Sequence, residues 1–223
     1  MSPFIEQYYD KSIRIAPDGF SFFKMNGKKM ESMSFSYADN TLITNEAPRF
    51  FNHSDEINVI VAKHTPMLIP DEIYDPARNM EYLTLQFDTS HLGESFSDKN
   101  GIYQSVFFIT KNEKDTLGRL TFHFNMVAET TMFYRFLCQQ ETNESLFISR
   151  NRDFTDILAV HKSEILLANR FNLVEPADTL YHIYNVITQF HLQNPALFLH
   201  YFAEEDKKLT SLLKTYKLNP NIV

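Results

Sequence analysis

Residues 145–171 read SLFISRNRDFTDILAVHKSEILLANRF, and this stretch decides the fold. Three short apolar runs lie in it: Ser145 to Ser149, Phe154 to Val160 and Glu164 to Ala168. Each is bounded by polar residues, the pattern of three consecutive strands. His161 and Lys162 turn the second run into the third.

Downstream, Asp178 to Phe190 predicts a helix, because Leu180, Ile183, Tyr184 and Ile187 recur at i, i+3, i+4 and i+7. Pro176 stands just ahead of it, as at a helix start. Ala196 to Phe202 (ALFLHYF) reads as a buried strand. Glu204 to Tyr216 reads as a last helix with Leu209, Leu212, Leu213 and Tyr216 on one stripe. The order is β-β-β-α-β-α.

Upstream, the same order is predicted with insertions. Ser12 to Ala16 (SIRIA) places Ile13 and Ile15 on one face. Pro17-Asp18-Gly19 is a turn signal, and Phe20 to Met25 resumes as a strand, giving a hairpin. Glu31 to Tyr37 is a third strand. Pro48 to Ile57 is expected as a short helix, Val59 to Ala62 as a buried strand, and Pro70 to Arg78 as a helix begun by its proline. Tyr82 to Phe87 is expected as a strand, Asp88 to Gly101 as a loop, and Tyr103 to Ile109 as a strand. Lys111 to Arg119 is a helix, Leu120 to Phe124 a strand, and Glu129 to Gln140 a helix. The polar stretch Gln139 to Glu144 marks a boundary, so the expected domains are 1–142 and 143–223. Together these imply an α/β protein of two tandem domains with helices packed on mixed sheets.

Composition bounds the function. The chain has 223 residues, 43% hydrophobic and 22% charged, enough for a packed core. It holds 21 Phe and 11 Tyr. Against 21 Lys and Arg stand 28 Asp and Glu, a net charge of −7, which is not the footprint of a nucleic-acid binder. Cys138 is the only cysteine, so no intrachain disulfide forms and a reducing, cytoplasmic compartment is expected. The first fifteen residues carry Glu6 and Asp10 and lack the apolar run of a signal peptide. No stretch approaches the roughly 20 apolar residues of a membrane helix.

Two copies of the β-β-β-α-β-α order, each opened by a hairpin, resemble the plan of the actin, sugar-kinase and heat-shock-chaperone superfamily. Residues 145–171 resemble the second-domain hairpins of its pilus-assembly and cell-division branch. SIRIAPDGFSF near the start and LLANRFNLVEPADTLYHIYNVITQF near the end look like an uncharacterised Bacteroidetes family of unknown function. The resemblance spans nearly the whole chain. It implies an actin-like ATPase fold of two RNase H-like domains, the second truncated.

In working members of that superfamily, glycine-rich turns cradle the nucleotide phosphates, one per domain, each opened by an Asp. A third Gly-Gly turn receives the adenosine. Glycine is needed there because the backbone approaches the phosphates closely. The corresponding turns here are Ala16-Pro17-Asp18-Gly19-Phe20-Ser21, then Ser149-Arg150-Asn151-Arg152-Asp153-Phe154-Thr155, then Ala203-Glu204-Glu205-Asp206. Gly19 adjoins Asp18 with Phe20 behind it. The second turn has no glycine, and the third is acidic. The glycines are Gly19, Gly27, Gly93, Gly101 and Gly118, so none lies beyond Gly118. Neither GxxxxGK[ST] nor GxGxxG occurs. ATP hydrolysis by the superfamily's route is therefore not expected, and no cofactor is.

Other chemistry is thinly supplied. The eight histidines are dispersed without HxxxH or HExxH, so no zinc site is expected. His161 and His182 read as ordinary residues, and Cys138 as a small buried hydrophobe. Asp153 and Asp156, three apart on a strand, point to opposite faces. Two readings stand. In the first, the chain is a non-catalytic interaction or scaffold protein whose nucleotide motifs are lost, with another protein as partner. In the second, it is a residual nucleotide binder or phosphotransferase using the interdomain cleft. There Asp18 and Asp153 would hold a metal, beside Gly19, with Arg150 and Arg152 as phosphate donors. A homodimer joined through exposed strands is compatible with either. No membrane or nucleic-acid partner is expected.

Overall fold

The structure, a computed structural model, describes residues 3–27, 29–52, 55–120, 122–172, 175–202 and 205–223. The chain packs as two compact units, 3–132 and 133–223, and the division falls inside the helix 129–138.

The first unit begins with helix α1 (Pro3–Tyr8), then strands β1 (Ser12–Ala16), β2 (Gly19–Asn26) and β3 (Lys29–Ser36). Helix α2 (Asn40–Phe50) and strand β4 (Glu56–Val61) follow. An insertion holds β5 (Met67–Pro70), α3 (Asn79–Thr84), β6 (Glu94–Asn100) and β7 (Tyr103–Ile109). Helix α4 (Lys111–Gly118), β8 (His123–Ala128) and α5 (Glu129–Cys138) complete the set. The main sheet has the order β3-β2-β1-β4-β8, antiparallel through β1 and parallel beyond it. The inserted strands form their own sheet, β5-β7-β6.

Strand β1 is buried along its whole length. Its alternation is read twice over. Ile13 and Ile15 join Phe20, Phe22, Ile57 and Val59 in a core closed by Ile43 and Ala47 of α2 and Leu117 of α4. Arg14 points to the other face, also buried, where its Nε lies 2.6 Å from Glu129 Oε1 at the start of α5. Tyr9 Oη donates to the same oxygen at 2.7 Å. A buried guanidinium is tolerated only with such a partner.

Strand β7 explains its own apolar run. Phe107 and Ile109 belong to the main core, whereas Val106 and Phe108 pack with Ile69, Tyr82 and Leu83 of the insertion. One strand closes two cores, so neither face carries a polar stripe.

The second unit repeats the plan without insertion. Strands β9 (Glu144–Arg150), β10 (Phe154–His161) and β11 (Glu164–Asn172) run antiparallel. Helix α6 (Pro176–Gln189), β12 (Ala196–Tyr201), α7 (Lys207–Thr215) and the two-residue β13 (Asn221–Ile222) follow. The sheet order is β11-β10-β9-β12-β13, with β12 parallel to β9. Leu146 and Ile148 face the helices α6 and α7 through Leu180, Ile183, Leu209 and Leu213. Phe147, between them, faces α5, where Phe133 stacks on it at 4.3 Å between ring centroids. Period-two alternation thus feeds two helical layers from one strand.

The insertion departs from the sequence reading. The helix expected over Pro48–Ile57 lies earlier, as α2, and Pro48 sits in its final turns rather than at its start. Ile43, Ala47 and Phe51, at i, i+4 and i+8, carry its buried face. The helix expected over Pro70–Arg78 is broken up. Pro76 forces Asp75 to extended angles, φ −126° and ψ 114°, leaving two single 3-10 turns before α3. Tyr82 to Phe87 is not a strand: α3 ends at Thr84 and a turn follows. The loop expected over Asp88–Gly101 contains β6, an edge strand that exposes Ser97 and Lys99 and buries Asn100. The strand expected over Leu120–Phe124 lies at His123–Ala128. The turn after β10 falls on Lys162 and Ser163, both at positive φ, with His161 still in the strand.

Candidate functional site

The first turn, between β1 and β2, is closed by pairing of Ala16 with Gly19. Gly19 has φ +152°, and a Cβ there would overlap the carbonyl oxygen of Phe35 on β3. The glycine is required by the pairing of β2 with β3. Asp18 beside it is exposed.

The second turn lies between β9 and β10. The Asn151 N–H donates to the Phe154 carbonyl at 2.9 Å, closing the turn. Arg150 turns its Nε toward Asp206 Oδ2 at 3.8 Å, and Asp206 caps α7 by accepting from the Leu209 N–H at 3.1 Å. Among the described residues, Arg150 Nη1 is buried without a hydrogen-bond partner. Arg152 and Asp153 are exposed at the tip. Asp156, inside β10, is buried and forms a two-pronged pair with Arg170 at 2.7 and 2.8 Å. The Arg170 guanidinium also lies over the Phe154 ring at 3.8 Å. Of the named candidates, Asp18 and Gly19 therefore share one turn of the first unit, and Arg150, Arg152 and Asp153 share one turn of the second. Ala203 and Glu204 of the third turn lie outside the described residues.

A cavity of about 230 Å³ opens beside the first turn, lined by Phe20, Tyr37, Lys63, Thr110, Asn112, Glu113 and Thr116. Lys63 follows the C-terminal end of β4, the end of an α/β sheet where ligands usually bind. Glu113 is its focus. Lys63 Nζ donates to Glu113 Oε1 at 2.8 Å, and the Thr110 N–H donates to Oε2 at 2.6 Å. Tyr37 Oη lies 2.8 Å from Glu113 Oε1 and 2.7 Å from the Ala16 carbonyl oxygen, so its one proton serves one or the other. Thr110 returns the contact by accepting from the Glu113 N–H at 3.3 Å, a complete capping box on α4.

Burial pushes the Glu113 carboxyl up, but hydrogen bonds from Lys63 and Thr110 outweigh it, and the net pKa is lowered. Burial and the Glu113 charge push the Tyr37 phenol upward. Glu113 is thus a fixed anion and Tyr37 a fixed donor. A catalytic base near neutral pH needs the opposite tuning. This network fastens the start of α4 to the ends of β1 and β4.

Cys138 is exposed rather than buried, because it falls on the outer side of α5. Tyr134, one turn earlier, has its phenol pushed upward by burial and then by Cys138. His182 stacks on Phe171 at 4.1 Å. Among the described residues, no group of three or more His, Cys, Asp or Glu is placed to hold a metal. Among them, too, no helix is long and apolar enough to cross a membrane.

The sequence reading passed over Tyr37, Lys63 and Glu113. One signal was available: Thr110-Lys-Asn-Glu113 is a capping box in plain spacing. Nothing local told that Tyr37 and Lys63 would meet its glutamate.

Solved structures agree on the fold. A Bacteroides thetaiotaomicron protein with actin-like ATPase fold and unknown function superposes with a TM-score of 0.69 at 22% identity, over 100% of this chain and 94% of that one. The PilM–PilN type IV pilus biogenesis complex gives 0.59 at 10% identity, over 96% and 88%. The ethanolamine utilization protein EutJ from Carboxydothermus hydrogenoformans gives 0.53 at 6% identity, over 95% and 82%. This chain accordingly has an actin-like ATPase fold. No curated protein matches it in sequence. A family model described as Protein of unknown function (DUF3822) matches residues 1–222, and the chain belongs to that family.

Proposed function

We propose that this chain is an interaction protein: an actin-like fold that does not turn over nucleotide and acts by binding another protein. One observation carries the reading. The second turn has no glycine, closes on itself through Asn151 and Phe154, and turns Arg150 Nε toward Asp206 Oδ2 at 3.8 Å. The arginine best placed for a phosphate thus faces a carboxylate, whose charge opposes an anion there. The first turn supports the same view, since its glycine answers a packing need at Phe35. The pilus-biogenesis relative, a complex of PilM with PilN, is a precedent for the fold as a binding module.

Residual nucleotide binding through Asp18 and Asp153 is the competing reading, and one experiment separates them. The purified chain is melted with ATP, ADP and GTP, with and without Mg²⁺. A ligand at 100 times its Kd stabilises the native state by about 2.7 kcal/mol. No shift at millimolar nucleotide is expected. A Mg²⁺-dependent rise that disappears in Asp18→Ala would overturn the proposal.

A further inference from the structure

A sheet edge presents unpaired N–H and C=O groups, and proteins protect their edges with charges, prolines, bulges, short strands or covering elements. Among the described residues, every edge of this chain but one carries such a device. In the insertion, β5 has four residues and ends in Pro70, and β6 carries Glu94, Asp98 and Lys99. On one side of the main sheet β8 lies against β6, where the Ala128 N–H donates to Asp98 Oδ2 at 2.8 Å. In the second unit β13 has two residues, and β11 holds an extra residue, Leu166, where its register with β10 shifts. The exception is β3, the outer strand of the main sheet.

Strand β3 has eight residues and pairs with β2 without a break from Lys29 to Ser36. Among the described residues, Met30 to Phe35 make backbone hydrogen bonds to β2 alone. The charges of the strand, Lys29 and Glu31, sit at one end, and Asn26 Nδ2 donates to Glu31 Oε1 at 2.8 Å. Beyond them the strand reads Ser32-Met33-Ser34-Phe35-Ser36, without a charge. Met33 is 37% exposed and stands on the face of Phe22 and Phe35, whose ring centroids lie 5.0 Å apart. On the opposite face Ser34 meets Ser21 at 2.9 Å. The edge is long, regular and neutral, the kind that takes up another strand.

The sequence of β3 matches itself. Residues opposite one another in an antiparallel pair share a face. A two-fold axis through Met33, perpendicular to the sheet, therefore sets Met33 against Met33 of a second copy, Ser32 against its Ser34, and Glu31 against its Phe35. The Lys29–Glu31 ends then lie at opposite ends of the pair, and no like charges face each other. A foreign strand is selected by pockets for its alternate side chains, and Ser32, Ser34 and Ser36 are too small to shape them. We propose that β3 pairs antiparallel with β3 of a second copy about a two-fold axis at Met33, joining the two main sheets into one. This pairing is independent of whether the protein turns over nucleotide.

The test is sedimentation equilibrium of the whole chain from micromolar to hundreds of micromolar. The mass is expected to rise to twice that of one chain. Met33→Lys and Met33→Glu each set like charges against each other across the axis, and each should weaken the dimer at least about tenfold. An equal mixture of the two should restore it, since lysine then faces glutamate. Because Met33 is exposed, both variants should melt within about 2 °C of the parent at the lowest concentration. A parent that stays monomeric throughout would overturn the proposal and leave the edge to a strand of a different protein. A dimer that both variants keep would overturn it in favour of another surface. Two dissociated variants whose mixture also stays dissociated would overturn the axis at Met33.

Discussion

The hairpin turn of the first unit keeps a glycine, and the matching turn of the second unit has none. In the first, Pro17-Asp18-Gly19 brings β2 so close to β3 that the Phe35 carbonyl fills the place of a side chain. In the second, β10 leaves the turn without such an approach, and three polar residues from Asn151 to Asp153 suffice. The difference teaches that a glycine in a nucleotide-like position is weak evidence for a nucleotide. Its neighbours within the sheet must be consulted first.

Substitutions sharpen this contrast. Gly19→Ala should cost at least about 3 kcal/mol in urea unfolding, because the backbone carbonyl of Phe35 cannot yield as a flexible side chain would. A mild loss would mean that β2 and β3 can part, and that the glycine serves something else. Glu113→Gln should cost about 2 kcal/mol, since it deprives Lys63 of its buried partner. That contribution has a pH signature. The folded carboxyl has a lowered pKa, so its stabilisation is fully present above the unfolded value of about 4.3 and is lost as pH falls through the folded value. Urea midpoints of the parent and Glu113→Gln should therefore converge in acid. A gap independent of pH would assign the loss to packing.

Arg150→Met should change stability by less than about 1 kcal/mol. The ion pair to Asp206 is long, and removing the unpartnered Nη1 offsets its loss. A cost above about 3 kcal/mol would show that this pair holds the turn. Smallest of all, Asp18→Asn and Asp153→Asn should leave the melting temperature within about 1 °C of the parent, because both side chains are exposed.

The second unit was legible because each of its elements carries one period. SLFIS, FTDILAV and ALFLHYF are strands buried on both faces, and α6 buries Leu180 and Ile183 of its expected stripe while Tyr184 is exposed. The insertion was not, because its elements are short and their partners distant. Tyr82 and Leu83 look like strand residues, yet they are helical because they fill a pocket against Ile69, Val106 and Phe108. Pro48 and Pro70 look like helix starts. One closes a helix and the other ends a strand. At the cavity, the Thr110–Glu113 box could be read locally. Its contacts to Tyr37 and Lys63 cross 76 and 50 residues of chain, and only the folded sheet brings them together.

The proposal of an interaction protein is tested most directly by nucleotide turnover. Phosphate release from Mg²⁺-ATP would be followed for the parent chain and for Asp18→Ala, each at tens of micromolar over hours. The account predicts that both match the rate without protein. Release by the parent that is lost in Asp18→Ala would contradict it, and would return the first turn to a nucleotide.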